Sequence, residues 1–241
     1  MREIARRLAR IPGVEAVTLG GSRATGTASA DSDWDFGLYY RRPLDPADVA
    51  ALGWPGQVFA PGDWGRIVDG GAWLEVDGVA VDLIYRDLAQ VEHWTAEAEA
   101  GRFEIQREVG YVAGIPTYVL AGELAIGEVL SGDLPRPAFP PRLRETAPPT
   151  WYNLAAGALR TGDVHARRGD PVPALANLTQ AVLATAHGRL AAAGHWVLNE
   201  KRLVAQAGLD PAESLLADPA RDLTALAPAL ADILALANWG R

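Results

Sequence analysis

Two aspartates stand two residues apart in the run DWDFGLYY, Asp33 to Tyr40, which alternates in polarity and is rich in aromatic residues. Such a run reads as a strand. Side chains two apart on a strand point to the same face, so Asp33 and Asp35 can share one bound ion. Ten residues separate them from Gly21-Ser22, which closes the small turn Gly20-Gly21-Ser22. Glycine lets backbone approach a phosphate closely, and Ser22 adds a hydroxyl. A third acid, Asp82, lies inside the apolar run GVAVDLIYR. A charge there is costly unless it is paired or bound to a metal. Three carboxylates on two strands suit Mg²⁺, as one or two ions, which keeps open positions for water and substrate phosphates. Asp-x-Asp alone recurs in turns and solvated edges, and Gly-Gly-Ser alone is no more specific. The signal is their combination at this spacing with an acid in a later apolar strand.

Further residues extend the candidate site. Arg23 follows Ser22 and is placed to contact a triphosphate, with an exposed structural arginine as the alternative. Asp31 and Ser32 lead into the strand, where a plain turn competes with a hydrogen bond to the acids. Lys201 is the only lysine among 22 basic residues. An ammonium is a compact point charge suited to phosphate, although a solvated helix surface explains it as well, with Asn199 as a cap and Glu200 as a surface acid. Trp54, Trp64, Trp73 and Trp151 offer rings for stacking, against the commoner role of core packing. The segment APGDWGRIVDGGAW is the best candidate for a substrate-facing loop. The histidines, His93, His165, His187 and His195, are dispersed, so no zinc site is expected.

Elements that could position these groups follow from pattern. Val14 to Gly20 reads as a strand, and Asp45-Pro46 as a helix start. Residues 53–72 read as a loop, and Asp77-Gly78 as a hairpin turn between two strands. Helices are expected at 87–100 and 116–130, with another strand near FEIQREVGYV. Residues 131–150 carry six prolines and read as an irregular connection. Beyond it, Leu175, Leu178, Val182, Leu183, Ala186 and Leu190, and then Leu223, Leu226, Leu230, Ile233, Leu234 and Ala237, recur at helical spacing. Asp170-Pro171, Asp210-Pro211 and Asp218-Pro219 look like helix starts. The division expected is 1–135, a mixed α+β half, and 150–241, an antiparallel helical bundle.

The chain has 241 residues, 49% hydrophobic, enough for a sizeable core. Its apolar stretches stop short of the ~20 residues a membrane span needs, and the basic start MREIARRLARIPG lacks the apolar segment of a signal peptide. There is no cysteine, which excludes disulfides and thiolate-bound zinc; a cytoplasmic location is the default. The net charge of −8 argues against extensive nucleic-acid binding and suits a metal ion with a nucleotide, or a cationic small molecule.

GGSRATGTASADSDWDF followed by VAVDLI resembles the DNA polymerase β-like nucleotidyltransferase superfamily over roughly residues 10–90. Its pattern is Gly-Ser, about ten residues, Asp-hydrophobic-Asp, then an acid on a later strand. Here Trp34 stands where an aliphatic residue is usual. The resemblance implies a mixed sheet flanked by helices, and transfer of a nucleoside monophosphate from an NTP to an acceptor hydroxyl, with ATP the NTP expected. By that resemblance Asp33, Asp35 and Asp82 match the metal ligands and catalytic acids, and Gly21 and Ser22 the phosphate turn. Asp82 is the expected general base, with Glu123 as the other carboxylate to test. Length and a C-terminal bundle are most like the aminoglycoside and lincosamide nucleotidyltransferases, implying a small-molecule acceptor such as an antibiotic. The rivals are a nucleotide-sensing or antitoxin-like module of the same fold, and AMP transfer to a protein or an RNA end.

Overall fold

The computed structural model describes residues 1–26, 28–29, 32–218 and 222–236. In chain order the elements are α1 (Arg2–Leu8), β1 (Val14–Leu19), α2 (Gly21–Ala24), β2 (Trp34–Tyr40), α3 (Pro46–Ala50), β3 (Gly56–Val58), β4 (Gly71–Val76), β5 (Val79–Asp87), α4 (Leu88–Glu99), β6 (Ile105–Gln106), β7 (Ile115–Pro116), α5 (Val119–Ile126), β8 (Glu128–Ser131), α6 (Pro141–Arg168), α7 (Pro171–Ala193), α8 (Leu203–Gln206), α9 (Asp210–Ala217) and α10 (Leu223–Leu234). They gather into two compact units, Met1–Ala96 with Leu120–Ala138, and Glu97–Val119 with Phe139–Arg241.

The first unit is a six-stranded mixed sheet in the order β3-β4-β5-β2-β1-β8. Only β2 and β5 run parallel; the other pairs are antiparallel. The sequence alternation explains its first face. Val17, Leu19, Phe36, Leu38, Tyr40, Ala72, Leu74, Val76, Val81, Leu83 and Tyr85 are buried together with Ala5, Leu8 and Ile11 of the N-terminal helical segment. Full burial of one such side chain stabilises by roughly 1.5–3 kcal/mol, so register is strongly held: a slip by one residue would turn this face outward. The β4–β5 turn forms at Asp77 and Gly78, both with positive φ (53° and 78°), as a two-residue hairpin requires. Asp45 caps α3, accepting from the Ala47 N–H at 2.9 Å.

The second unit is built on α6 and α7. They are separated only by Gly169 and Asp170, and Gly169 ends α6 in the left-handed conformation. Contacts that step forward along α6 step backward along α7. Trp151 stacks on His187, ring centroids 4.2 Å apart, while Gly162, further along α6, packs against Leu178, earlier in α7. The pair is therefore antiparallel. Leu226, Leu230 and Leu234 of α10 join the same core.

The structure corrects several boundaries. The segment expected as irregular to residue 150 becomes helix at Pro141, which sits at N1 where no N–H is lost. Pro148 and Pro149 lie inside α6. Each removes a backbone bond, and burial of Ala147, Trp151, Ala155 and Leu159 carries the helix through. The two units are also not the simple halves 1–135 and 150–241. Residues 97–119 join the second unit because Ala98, Ala113 and Tyr118 bury in its core. The helix expected at 116–130 stops at Ile126, and Glu128–Ser131 pairs instead with the edge of β1. The strand expected in FEIQREVGYV reduces to Ile105–Gln106, paired with Ile115–Pro116. Residues 53–72 hold the short strand β3 as well as loop. Asp218 ends α9, and the next helix is capped by Asp222, which accepts from the Thr224 N–H at 2.9 Å. Pro219 and Ala237 lie outside the described residues.

Candidate active site

The second face of the sheet carries the site. On β2 it presents Asp35, Gly37 and Tyr39, and on β5 Asp82, Ile84 and Arg86, paired in that order across the parallel ladder. Asp35 and Asp82 are thus direct partners on adjacent strands, with side chains on the same face. The row continues to Trp73 of β4, which pairs with Asp82, and to Gln57 of β3, which pairs with Trp73. Thr18, Tyr39 and Arg86 are buried further along this face. Asp35 and Asp82 are only half-buried.

The Gly-Ser turn is built onto Asp35. The Gly20 N–H donates to the Asp35 carbonyl at 2.8 Å, extending the β1–β2 ladder by one residue. Gly21 then takes φ +60°, and a Cβ there would overlap the Asp35 carboxylate, with Cγ 2.5 Å away. Only glycine permits both the backbone turn and this approach. Ser22 follows in α2, which is a single turn long.

Asp33 lies just before β2 and is exposed. Arg23 holds that segment: its Nε donates to the Ser32 and Asp33 carbonyls at 3.1 Å each, Nη2 donates to the Ser32 carbonyl, and its guanidinium lies 4.1 Å over the Trp34 ring. A cation–π contact of this kind is worth about 0.5–1 kcal/mol at an exposed site. Trp34 packs against the sheet core and stacks with Phe36, centroids 6.4 Å apart. The bulky residue between the acids is therefore a seat for Arg23, and Arg23 positions the approach to Asp33. Ser32 bonds Ser29, accepting from its N–H at 2.9 Å; Asp31 lies outside the described residues.

Glu123, expected as a possible base, is committed elsewhere. Both its oxygens accept from Arg86, at 2.5 Å from Nε and 2.7 Å from Nη2, and the Arg86 side chain is 4% exposed. Arg86 also donates to the carbonyls of Val68 and Tyr85. An arginine in the apolar strand run VAVDLIYRD is a signal for such a buried pair, and its partner was not readable from spacing.

Trp73 and Trp64 stack, centroids 5.2 Å apart at 24°, and Phe59 leans on both at 4.8 and 5.0 Å. Trp54 instead lies under Arg7, whose guanidinium is 4.5 Å from its ring centre. Trp151 is fully buried, donating to the Tyr118 hydroxyl at 2.9 Å, so it is core and not a substrate platform. Lys201 is exposed in the second unit, and the Asn199 side chain caps its N–H at 2.9 Å. Glu200 is no surface acid: its side chain is 9% exposed and accepts from the N–H groups of Val112 and Ala113 at 2.7 and 2.8 Å.

Among the described residues, no group of three or more Asp, Glu or His side chains gathers in metal-holding geometry. Asp35 and Asp82 form a cross-strand pair, and Asp33 lies outside the strand. Hard carboxylate oxygens without nitrogen or sulfur donors fit Mg²⁺, which is bound through one or two carboxylates plus substrate phosphates and not by a full protein cage. Among the described residues no helix is long and apolar enough to cross a membrane.

Residues 1–99 match the family model of the nucleotidyltransferase domain. No curated protein matches the chain. Among the solved structures that match, two are similar at low identity. A nucleotidyltransferase-like protein from Exiguobacterium sibiricum 255-15 is 14% identical with a TM-score of 0.47, over 97% of this chain and 71% of that one. An aminoglycoside 6-adenyltransferase from Bacillus subtilis is 10% identical with a TM-score of 0.27, over 97% and 89%.

Proposed function

We propose that the protein transfers a nucleoside monophosphate from an NTP, ATP in the first instance, to a hydroxyl of a small-molecule acceptor such as an antibiotic, with Mg²⁺ bound. The observation that carries this reading is the in-register pair of Asp35 and Asp82, with the Gly21 backbone pressed against the Asp35 carboxylate. Asp35 and Asp82, with Asp33 as a further carboxylate from the segment before β2, would hold one or two Mg²⁺ ions, which neutralise phosphate charge and bring the attacking hydroxyl to a reactive state when bound. The Gly21-Ser22 turn receives the phosphates. The acceptor oxygen forms a bond to the α-phosphorus as the bond to pyrophosphate breaks; the hydroxyl proton passes to the Asp82 carboxylate. The rest is positioning and charge stabilisation. Glu123 is poorly placed to be the base, because both its oxygens already accept from Arg86.

The test follows pyrophosphate release from each NTP with Mg²⁺ and a panel of acceptors, antibiotics included. Asp35→Asn and Asp82→Asn are expected to fold and to lose activity by roughly 10²–10³-fold or more, the scale of losing one main electrostatic group. Wild-type turnover by either variant would falsify the assignment. Nucleotide binding without release under any condition would favour the sensing module instead.

A further inference from the structure

The aromatic cluster beside the acids is not used by the chemistry above. Trp73 is the direct cross-strand partner of Asp82, so its ring stands next to that carboxylate on the same face. It is 51% exposed. Gly71, two residues back on the same face, brings no side chain against it. A Cβ at Gly71 would lie 1.9 Å from the Leu83 carbonyl oxygen and 2.5 Å from Trp64 Cζ3, so a side chain here is excluded by β5 as well as by the Trp64 ring lying against the strand. Trp64 then stacks on Trp73, and Phe59 buttresses both.

The loop carrying Trp64 is built and held. The Asp69 carboxylate accepts from the Gly62 N–H at 2.9 Å and from the Tyr40 hydroxyl at 2.7 Å, and its carbonyl accepts from the Trp64 N–H at 2.9 Å. The Phe59 N–H donates to the Gly71 carbonyl at 2.9 Å. A Trp held half-exposed by two further rings is a rigid flat surface, and such surfaces bind rings with little ordering cost.

Sheet order decides which ring. The phosphate turn leaves β1, on one flank of the carboxylate pair; Trp73 is on β4, on the other flank. In nucleotidyl transfer the attacking and leaving oxygens lie roughly in line across the phosphorus. With pyrophosphate leaving toward the Gly21-Ser22 flank, the nucleophile enters from the Trp73 flank. We propose that Trp73, backed by Trp64 and Phe59, is the acceptor subsite, and that it selects acceptors whose hydroxyl is carried on a sugar or aromatic ring able to stack on the indole. This rests on the nucleotidyl-transfer reading given above.

The test is run on the full-length protein with MgATP present, by saturation-transfer NMR. Ring alcohols (methyl β-glucoside and tyrosol) are compared with the straight-chain alcohols glycerol and 1,4-butanediol. MgATP affinity is measured separately by calorimetry. Expected are saturation transfer to a ring probe and none to the chains, a loss of about tenfold in ring-probe affinity in Trp73→Ala, recovery of most of it in Trp73→Phe, and unchanged MgATP affinity in both. Trp73→Phe, with its ring retained, also reports whether the strand still folds. Binding of chains as well as rings, no ring binding, or ring binding equal in Trp73→Ala overturns the proposal. So does a tenfold loss of MgATP affinity in Trp73→Ala, which would make the platform a nucleobase site. The transfer reading fails differently, by absence of Asp35- and Asp82-dependent pyrophosphate release, so the two outcomes are separable.

Discussion

Gly21 shows how little room the site leaves. Its φ of +60° already disfavours any L side chain, and a Cβ would collide with the Asp35 carboxylate. Gly21→Ala therefore meets two costs, backbone strain of about 1 kcal/mol or more and displacement of Asp35. Because Asp35 sits at the strand start, the displacement is local. The expected result is a modest fall in thermal midpoint with a much larger fall in transfer rate, at least about 10²-fold, since an ångström of misplacement costs that much. Parallel melting curves and pyrophosphate-release assays check it. A variant with full activity would show that the turn does not set the position of Asp35.

At the scale of elements, the Arg86–Glu123 pair ties β5 to α5 and to the Val68 carbonyl. With Arg86 4% and Glu123 24% exposed, removing one partner leaves a charge in a largely water-free place, a loss of roughly 3–5 kcal/mol. Arg86→Met should lower the melting midpoint by many degrees. Glu123→Gln keeps the shape and some hydrogen bonding, so its stability loss should be smaller, with the transfer rate per folded molecule unchanged. A collapse of rate in Glu123→Gln without a change in midpoint would restore Glu123 as the base. In the second unit, the buried His187 ring stacks on Trp151 with Nε2 3.9 Å from a Glu200 oxygen. Burial holds the His187 pKa below its ordinary value, against the pull of Glu200. Glu200, despite its own burial, is held below the carboxylate range by His187 and the two N–H groups it accepts. The signs agree. Below the ordinary histidine value of about 6.5 the unfolded chain binds a proton that folded His187 resists, and at lower pH Glu200 loses its advantage as it protonates in the fold. Stability of this unit should fall on acidification, starting below about pH 6.5. Melting at a series of pH values, with His187→Phe as the control that flattens the upper part of the curve, measures it. A wild-type midpoint that rises on acidification over that window would contradict the assignment.

For the molecule as a whole, the single lysine is the group to test. Lys201 is exposed and is the only lysine of the chain. The sequence reading is that this ammonium binds phosphate. Lys201→Ala should then weaken binding of a non-hydrolysable NTP with Mg²⁺ by roughly ten- to a hundredfold, the worth of one charged hydrogen bond. Folding should be intact, since an exposed lysine adds little to stability. Lys201→Arg should recover part of the loss because the fork is larger and differently aimed. Unchanged affinity by calorimetric titration would leave Lys201 as a solvated surface charge.

The acids, the Gly-Ser turn, the alternation of β1, β2 and β5 and the Asp77-Gly78 hairpin were legible in the sequence because each is local. A period of two, a turn residue or a spacing is written within a few neighbouring positions. So was the helical character of the second unit, through its period of 3.6. The pairing of Asp35 with Asp82, and of Asp82 with Trp73, was not, because register between distant strands is decided by burial of the whole opposite face. The same holds for Glu123, whose partner lies 37 residues away, and for the seat of the Arg23 guanidinium on the Trp34 ring. Residues 97–119 and the prolines of α6 went against local rules because a buried core outweighs them. The sequence alone determined which chemical groups the protein carries and in which local elements. Which of them stand side by side was settled only by tertiary structure, because burial and long-range pairing act on positions that the chain keeps far apart.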